Sequence, residues 1–508
     1  MLHAARTVTI LNVLVQLVAF LRTVIIAAAF GASTTVDAYF LGLVVPSFLA
    51  TIFLGWLQVG FVGRYAEMLT QEDRRRATMY FSRFLLLLFA VSLACSTVCA
   101  IYPDLIVSQL IKPEQAALRE DAAVALSLAG WSILPLVIGD FLGLVLNTHG
   151  RFFMAALAPL VNALVSVLIL WLWPDKDLTA LTSTLLLGAF AQFVVVTAGF
   201  ISLHQPLVFR TRLVADEVNI ALRLSFPLLP AMMLANATTV LVQVSCAGLG
   251  EGAVSVYGYA SRLHTALSQV LVIGLSTVLL PHLAALWANR NVLAISLLFR
   301  RLARITMLVA LYLLGGIALF GQLAVEFLFG RGQFDAEVVR QVSFVWLLLS
   351  LSIFPLAFGT FIAKLAQAKR RSIAILMSSI ASFLAVWILT SLGSARGSLT
   401  LVALSQGFGF VAATTFWIIW YLRTLALPAS YLADLVASLA RAASALAPAV
   451  ALDVLVLQPA LVGQPPHISL FARGIVYSLA TLTALVVTRQ INWFFKADAV
   501  DGSSTWVK

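Results

Sequence analysis

Charge is scarce in this sequence. Asp, Glu, Lys and Arg make up 10% of its 508 residues, against 62% hydrophobic. A soluble globular domain needs far more polar surface than that, so a soluble protein is excluded. Cysteine is nearly absent too. Cys95, Cys99 and Cys246 all fall inside apolar runs. Cys95 and Cys99 share a helix face at i, i+4, but no His or acid stands beside them, so they are small packing residues. His149, His204 and His282 lie near the ends of apolar runs without metal-ligand spacing. No Gly-rich phosphate loop is present, which argues against ATP as a driver. The longest polar connection, 102–120, offers Asp104, Glu114 and Glu120 at no spacing that suits catalysis, so the chain is not expected to be an enzyme.

What is abundant is apolar sequence in runs of about 20 residues, each long enough to cross a bilayer. They fall at about 7–30, 37–68, 78–101, 121–147, 153–173, 178–202, 218–247, 252–287, 299–321, 337–365, 372–392, 398–422, 432–457 and 468–495. The expected fold is an all-α polytopic membrane protein with about 14 transmembrane helices. Pro46, Pro135, Pro227, Pro230 and Pro355 sit within or near the starts of spans, where helices bend. Ala27, Ala28 and Ala29 imitate a signal-peptide cleavage site, but the run continues into further spans and reads as a retained first helix. Trp173 and Trp493 read as interfacial anchors.

The net charge of +11 sits in short loops, which points to topology rather than to nucleic acid. One side collects Arg6, Arg74–Arg76, Arg151, Arg210, Arg212, Arg290, Arg300, Arg301, Lys369, Arg370, Arg371, Arg423 and Lys496. The other has Lys112, Arg119, Lys176, Arg331 and Arg396. By the positive-inside rule both termini are cytoplasmic, which requires an even number of spans.

The chain also repeats. A shift of 218 positions pairs Tyr39 with Tyr257, Phe81 with Phe299 and Arg83 with Arg301, and brings the basic loops 70–77 and 288–298 into register. Two six-helix lobes with the same orientation are expected, 1–215 and 216–425, followed by two additional helices and a tail in 426–508. Within that frame two arginines stand out. Arg22 lies about 12 Å from the Gly31 end of the first span, and Arg262 about 14 Å into the eighth. A cation there needs a wet cavity or a partner. Two guanidinium groups facing one cavity would make a fixed receptor for phosphate or carboxylate. The alternative is that each arginine ties down its own half, through Asp37, Asp140 or carbonyls. Asp37 either pairs with an arginine in the empty state or caps its own helix beside the 31–36 turn. Asn12, Gln16, Gln58, Asn236, Gln243 and Gln269 are candidate cavity polar groups, or else hydrogen-bonding glue between helices. Asp140 is a candidate for ion coupling; Asp434 and Asp453 are the other acids in or near spans.

These residues carry a resemblance. Phe20-Leu21-Arg22-Thr23, Phe30-Gly31-Ala32 and Asp37-Ala38-Tyr39-Phe40 with Pro46 resemble the start of the MurJ/MviN family. So do Asn147-Thr148-His149-Gly150-Arg151-Phe152, Tyr259-Ala260-Ser261-Arg262-Leu263, Thr277-Val278-Leu279-Leu280-Pro281 and Leu328-Phe329-Gly330-Arg331-Gly332-Gln333-Phe334. The resemblance spans nearly the whole chain. It implies a flippase of the multidrug/oligosaccharidyl-lipid/polysaccharide exporter superfamily in the bacterial cytoplasmic membrane, moving lipid II by alternating access. It further implies two C-terminal helices that line a groove for the lipid tail. Arg22, Asp37 and Arg262 match the family's functional positions, whereas Gln16, Ala50 and Gly55 stand where family members carry charge. The spans from 372 to 422 lack a carboxylate for the sodium site some members have. The implied partner is a polyprenyl-diphosphate-linked oligosaccharide within the bilayer, with no nucleic acid and no cofactor, driven by membrane potential or an ion gradient. The alternatives are an exopolysaccharide or O-antigen unit as cargo, or a multidrug antiporter, which would favour acids over paired arginines.

Overall fold

The computed structural model describes residues 2–71, 73–173, 177–208, 215–369, 371–425, 430–461, 463–488 and 490–495. Of the topology-setting cations, Lys176, Arg210, Arg212, Arg370 and Lys496 lie outside these. Helix is the one regular secondary structure among the described residues, with no strand among them, as required of a backbone in hydrocarbon when all its polar groups bond within one segment. Thirteen helical segments among them are long and apolar enough to cross a membrane. The remaining expected span, 252–287, is a single helix of 36 residues, Ala253–Ala288.

In chain order the helices are α1 (Leu2–Phe30), α2 (Thr34–Gly60), α3 (Val62–Thr70), α4 (Arg74–Ile101), α5 (Pro103–Leu110), α6 (Ala116–Gly130) and α7 (Ile133–Thr148). Next come α8 (Phe152–Leu172), α9 (Leu178–Ile201), α10 (Ala215–Ser225), α11 (Leu229–Ala247), α12 (Ala253–Ala288) and α13 (Val292–Phe329). The series closes with α14 (Ala336–Ser350), α15 (Ile353–Ala368), α16 (Ser372–Ala395), α17 (Leu399–Leu425), α18 (Ser430–Leu452), the short α19 (Gln458–Ala460), α20 (Pro466–Val487) and α21 (Gln490–Phe495).

The internal repeat is written into the helix boundaries. Arg74 starts α4 and Val292, 218 positions on, starts α13. The chain leaves helical geometry at Tyr102, between α4 and α5, and at the equivalent Phe320 inside α13 (φ −135°, ψ 16°). The fourth and tenth spans each split into two helices, at 131–132 and at 351–352. At both splits a serine hydroxyl bonds the carbonyl three residues back, Ser132 to Ala129 and Ser352 to Leu349, each at 2.6 Å. Pro135 and Pro355 follow three residues later, inside the first turn of the new helix where a missing N–H costs nothing. Pro46 behaves differently. It lies within α2, and the chain breaks only at Phe61.

The chain forms two compact units. One comprises Met1–Tyr259 with Phe329–Val338 and Val386–Ser405; the other comprises Ala260–Leu328, Val339–Ala385 and Gln406–Lys508. In the first, α8 packs on α9 and α1, and α2 on α6 and α7. In its interior Phe61 stacks on Tyr80 and meets Phe141 edge-on, with centroids 5.4 and 4.8 Å apart. In the second, Phe299, Phe358, Phe361, Trp417 and Tyr421 form the core, and α18 packs on α20.

Candidate functional site

Several of the sequence motifs meet at one end of the first unit, those around Gly31, Asp37, Tyr259 and Gly332. The turn between α1 and α2 places Asp37 in the first turn of α2, where a carboxylate is favoured by the helix dipole. Its partner is another helix. Asp37 Oδ2 accepts the Gly252 N–H at 2.7 Å and Oδ1 the Ser255 N–H at 2.6 Å, while the Ser255 hydroxyl donates to the same Oδ1. One carboxylate thus caps the N-terminus of α12 while sitting in the first turn of α2, and it is 1% exposed. It does cap a helix, but one that begins more than 200 residues away.

The same place is closed by backbone. Gly252 (φ 79°) lies so near Ala32 that an added Cβ would be 2.7 Å from its carbonyl oxygen. Gly332 (φ 63°) sits still closer to Ala28, where a Cβ would meet the carbonyl oxygen at 2.1 Å. The Gln333 N–H donates to Ala28 O at 3.0 Å, and the Tyr259 hydroxyl donates to Gly31 O at 2.9 Å. The Tyr259 ring meets Phe40, Phe329 and Phe334 at 5.9, 5.8 and 5.4 Å. Ends of α1, α2, α12 and α13 are therefore sealed together by charge-assisted hydrogen bonds, glycine contacts and an aromatic plug.

Arg22 is half-buried on α1 and donates through its guanidinium to the Tyr39 hydroxyl on α2, two residues from Asp37. Tyr39 is fully buried. Asn12, Gln16 and Gln58 are exposed, and Asn236 and Gln243 are half-buried on α11. Asn236 donates to Met232 O on its own helix at 2.9 Å. All of these belong to the first unit. Arg262 and the half-buried Gln269 belong to the second, where Arg262 is exposed on α12. The position of Gly55 is filled from α11, since an added Cβ would stand 2.0 Å from the Met232 methyl.

Two polar groupings went unread in the sequence. Asp140 accepts from Gln192 Nε2 at 3.0 Å, and Gln192 Oε1 accepts from Asn162 at 2.8 Å, so a polar chain links α7, α9 and α8. The signal was an amide on each of two neighbouring spans. In the second unit Arg473 of α20 grips Asp453 with both ends of its guanidinium, Nε to Oδ1 at 2.8 Å and a terminal nitrogen to Oδ2 at 2.5 Å. It also donates to Leu319 O at 2.9 Å, beside the Phe320 kink. Asp453 opens a π-helical turn after α18. Opposite charges on successive spans, each costly alone, were the available signal. Among the described residues no group of three or more His, Cys, Asp or Glu side chains could hold a metal ion.

The fold is that of a polytopic helical membrane transporter. Its backbone matches that of a lipid II flippase MurJ solved in an inward closed conformation with a TM-score of 0.77 at 18% identity, over 95% of this chain and 99% of that one. An inward-facing multidrug resistance MATE family transporter matches with a TM-score of 0.68 at 16% identity, over 81% and 94%. The family described as lipid II flippase MurJ matches residues 26–471. A probable lipid II flippase MurJ of Rhizobium meliloti is 26% identical over 66% of this chain, and a lipid II flippase MurJ of Burkholderia cenocepacia 27% identical over 67%. These alignments span 65% and 68% of the relatives' own lengths. The chain belongs to the MurJ family of lipid II flippases.

Proposed function

We propose that this protein moves a polyprenyl-diphosphate-linked saccharide, lipid II in the first place, from the cytoplasmic to the outer leaflet of the bacterial cytoplasmic membrane by alternating access. A charged headgroup cannot cross hydrocarbon unaided, because a bare charge there costs many kcal/mol. Arg22 and Arg262 are the proposed cationic contacts for the diphosphate, and Asn12, Gln16, Gln58, Asn236 and Gln243 the contacts for sugar hydroxyls. Both termini face the cytoplasm, which puts the Asp37 closure on the outer side. The reading rests chiefly on that closure. It joins helix ends through one carboxylate and neutral donors, so it can part without baring two charges in lipid. The interior-negative potential favours expelling an anion by about 2.3 kcal/mol per charge per 100 mV, hence about 4–5 kcal/mol for a head with two charges. No chemical step on the cargo and no cofactor is involved, and Asp140 is the proposed group for any ion coupling.

The test is inward accumulation of lipid II in a strain depleted of its own flippase. The chain should relieve it, and Arg22→Ala and Arg262→Ala should each fail at normal expression. Full relief by both variants would sink the cationic-contact reading. Gln16, Ala50 and the Met232-filled Gly55 favour a second reading, a cargo with a different lipid-linked saccharide. Running the same assay with an exopolysaccharide intermediate distinguishes the two.

A further inference from the structure

Within the first unit, α2 is fastened at both of its ends. The Asp37 closure occupies its first turn, and Trp56 lies about 28 Å further along the helix axis, near the other end. There the Trp56 indole N–H donates to the Ser225 hydroxyl at 2.7 Å, and Ser225, 1% exposed, donates in turn to Ala221 O at 2.8 Å. Gly60 permits the approach, because an added Cβ would stand 2.9 Å from Ser225 Oγ. About two turns before Ser225, Glu217 in the first turn of α10 pairs with Arg76 at the start of α4. One face of α10 is therefore held twice, by α4 at Glu217 and by α2 at Ser225, while Asp216, Asn219 and Arg223 stay exposed on it. Through Phe226–Leu228, α10 runs directly into α11. Under the shift of 218 positions α11 corresponds to α1 and α12 to α2, so both fastenings of α2 reach the second copy of the repeat.

The chemistry of the Trp56 end suits contacts that separate. Trp56 and Ser225 are neutral. Arg76 is half exposed and stays hydrated when its pair parts, and the run Arg74–Arg76 puts this end of α4 on the arginine-rich side of the membrane. Glu217 is buried, and its second carboxylate oxygen, Oε2, has no hydrogen-bond partner among the described residues. Arg64 lies within electrostatic reach of Glu217 but is engaged by Glu67 at 2.7 Å. A buried oxygen left in that condition raises the energy of the closed arrangement and gains water when the arrangement opens.

We propose that Arg76 with Glu217 and Trp56 with Ser225 form a clasp, at the opposite end of α2 from Asp37, that must part before the transporter opens on the arginine-rich side. The clasp rests on the alternating-access reading, in which contacts at the two ends of the spans are made and broken in turn.

A reversible lock tests it. In the full chain carrying Arg76→Cys/Glu217→Cys, the two thiols are joined by a short bis-methanethiosulfonate and released by reductant, with relief of inward lipid II accumulation as the readout. Relief should be present before joining, lost on joining and recovered on reduction, and the reagent should leave both single-cysteine variants unaffected. Undiminished relief in the joined protein, or an equal loss in either single-cysteine variant, overturns the clasp and leaves the transport reading standing. Failure of the unmodified chain to relieve accumulation removes the transport reading, and the role of the clasp with it. Hydrogen exchange in detergent reads the contacts without any cargo. Glu217→Gln should speed exchange at residues 217–225 roughly tenfold or more, as weakening a hydrogen bond to a charged group implies, with 453–477 unchanged. Trp56→Phe should speed the same residues by less. Unchanged exchange in Glu217→Gln overturns the clasp whatever the cargo is.

Discussion

Two aspartates, one in each unit, are almost wholly hidden from solvent and solve the same problem in opposite ways. Asp37 is held by two backbone N–H groups and a hydroxyl. Asp453 is held by a guanidinium that grips both of its oxygens. The donors to Asp37 are neutral, and when they separate from it water can take their place on both sides. The donor to Asp453 is a full charge within a span, and separating that pair would leave two ions in hydrocarbon. The first arrangement suits a joint that opens, and the second a permanent rivet. Their settings agree. Asp37 joins helix ends, whereas Arg473 ties α20 to α13 beside the kink, where Tyr477 also donates to Tyr312 O at 3.1 Å.

The contrast breaks first at the rivet. Asp453→Ala or Arg473→Ala should each cost about 3–5 kcal/mol, because each leaves an uncompensated buried charge. The double change Asp453→Leu/Arg473→Met should recover most of that loss. Thermal unfolding in detergent measures all three, and a double variant as damaged as the singles would mean the ion pair is not the cause.

Asp37→Asn comes next. Weakening hydrogen bonds to a charged acceptor should cost the closed arrangement about 1.5–3 kcal/mol. Hydrogen exchange at residues 252–259 should rise while exchange around 453–477 stays unchanged. A fall in overall stability as large as that of Asp453→Ala would erase the distinction between joint and rivet. Gly332→Ala should loosen the same joint by about 1–3 kcal/mol, since it adds left-handed strain to a contact with the Ala28 backbone. The same exchange experiment reads it.

Smaller effects sharpen the picture. His149, outside the spans, bonds Tyr65 at 2.8 Å, and burial, with Arg74 as the lesser cause, lowers its pKa below 6.5. The unfolded chain therefore takes up the proton first, and stability is complete above pH 6.5 and declines below it. His149→Gln should flatten that decline in a pH series of unfolding midpoints. Least of all, Gly55→Ala should cost under about 1 kcal/mol, because the atom it meets is the flexible end of Met232. A larger loss would show that α2 and α11 pack there without tolerance.

The position of each span was legible in the hydropathy, the ends of its helices less so (299–321 became Val292–Phe329), and the breaks were partly so. Pro135, Pro355 and the Pro227/Pro230 pair each fell beside a break, but Pro46 marked nothing, because α2 absorbs it and the chain breaks only at Phe61. Arg22 could be picked out as a deep cation, yet its acceptor, Tyr39, could not. Asp37 was recognisable as a capping residue beside a turn, and the helix it caps was not. Arg473 was overlooked although Asp453 was noted; opposite charges on successive spans were the signal, but their bidentate pairing was decided by packing.

By itself the sequence determined the membrane-spanning helices and the repeat that pairs them. These follow from local forces: hydrocarbon demands continuous backbone hydrogen bonding, and a serine or proline interrupts it where it stands. The tertiary structure alone decided which buried charge meets which donor. Such a bond joins residues up to about two hundred positions apart, and its energy depends on distances of a few ångströms that no run of neighbouring residues encodes.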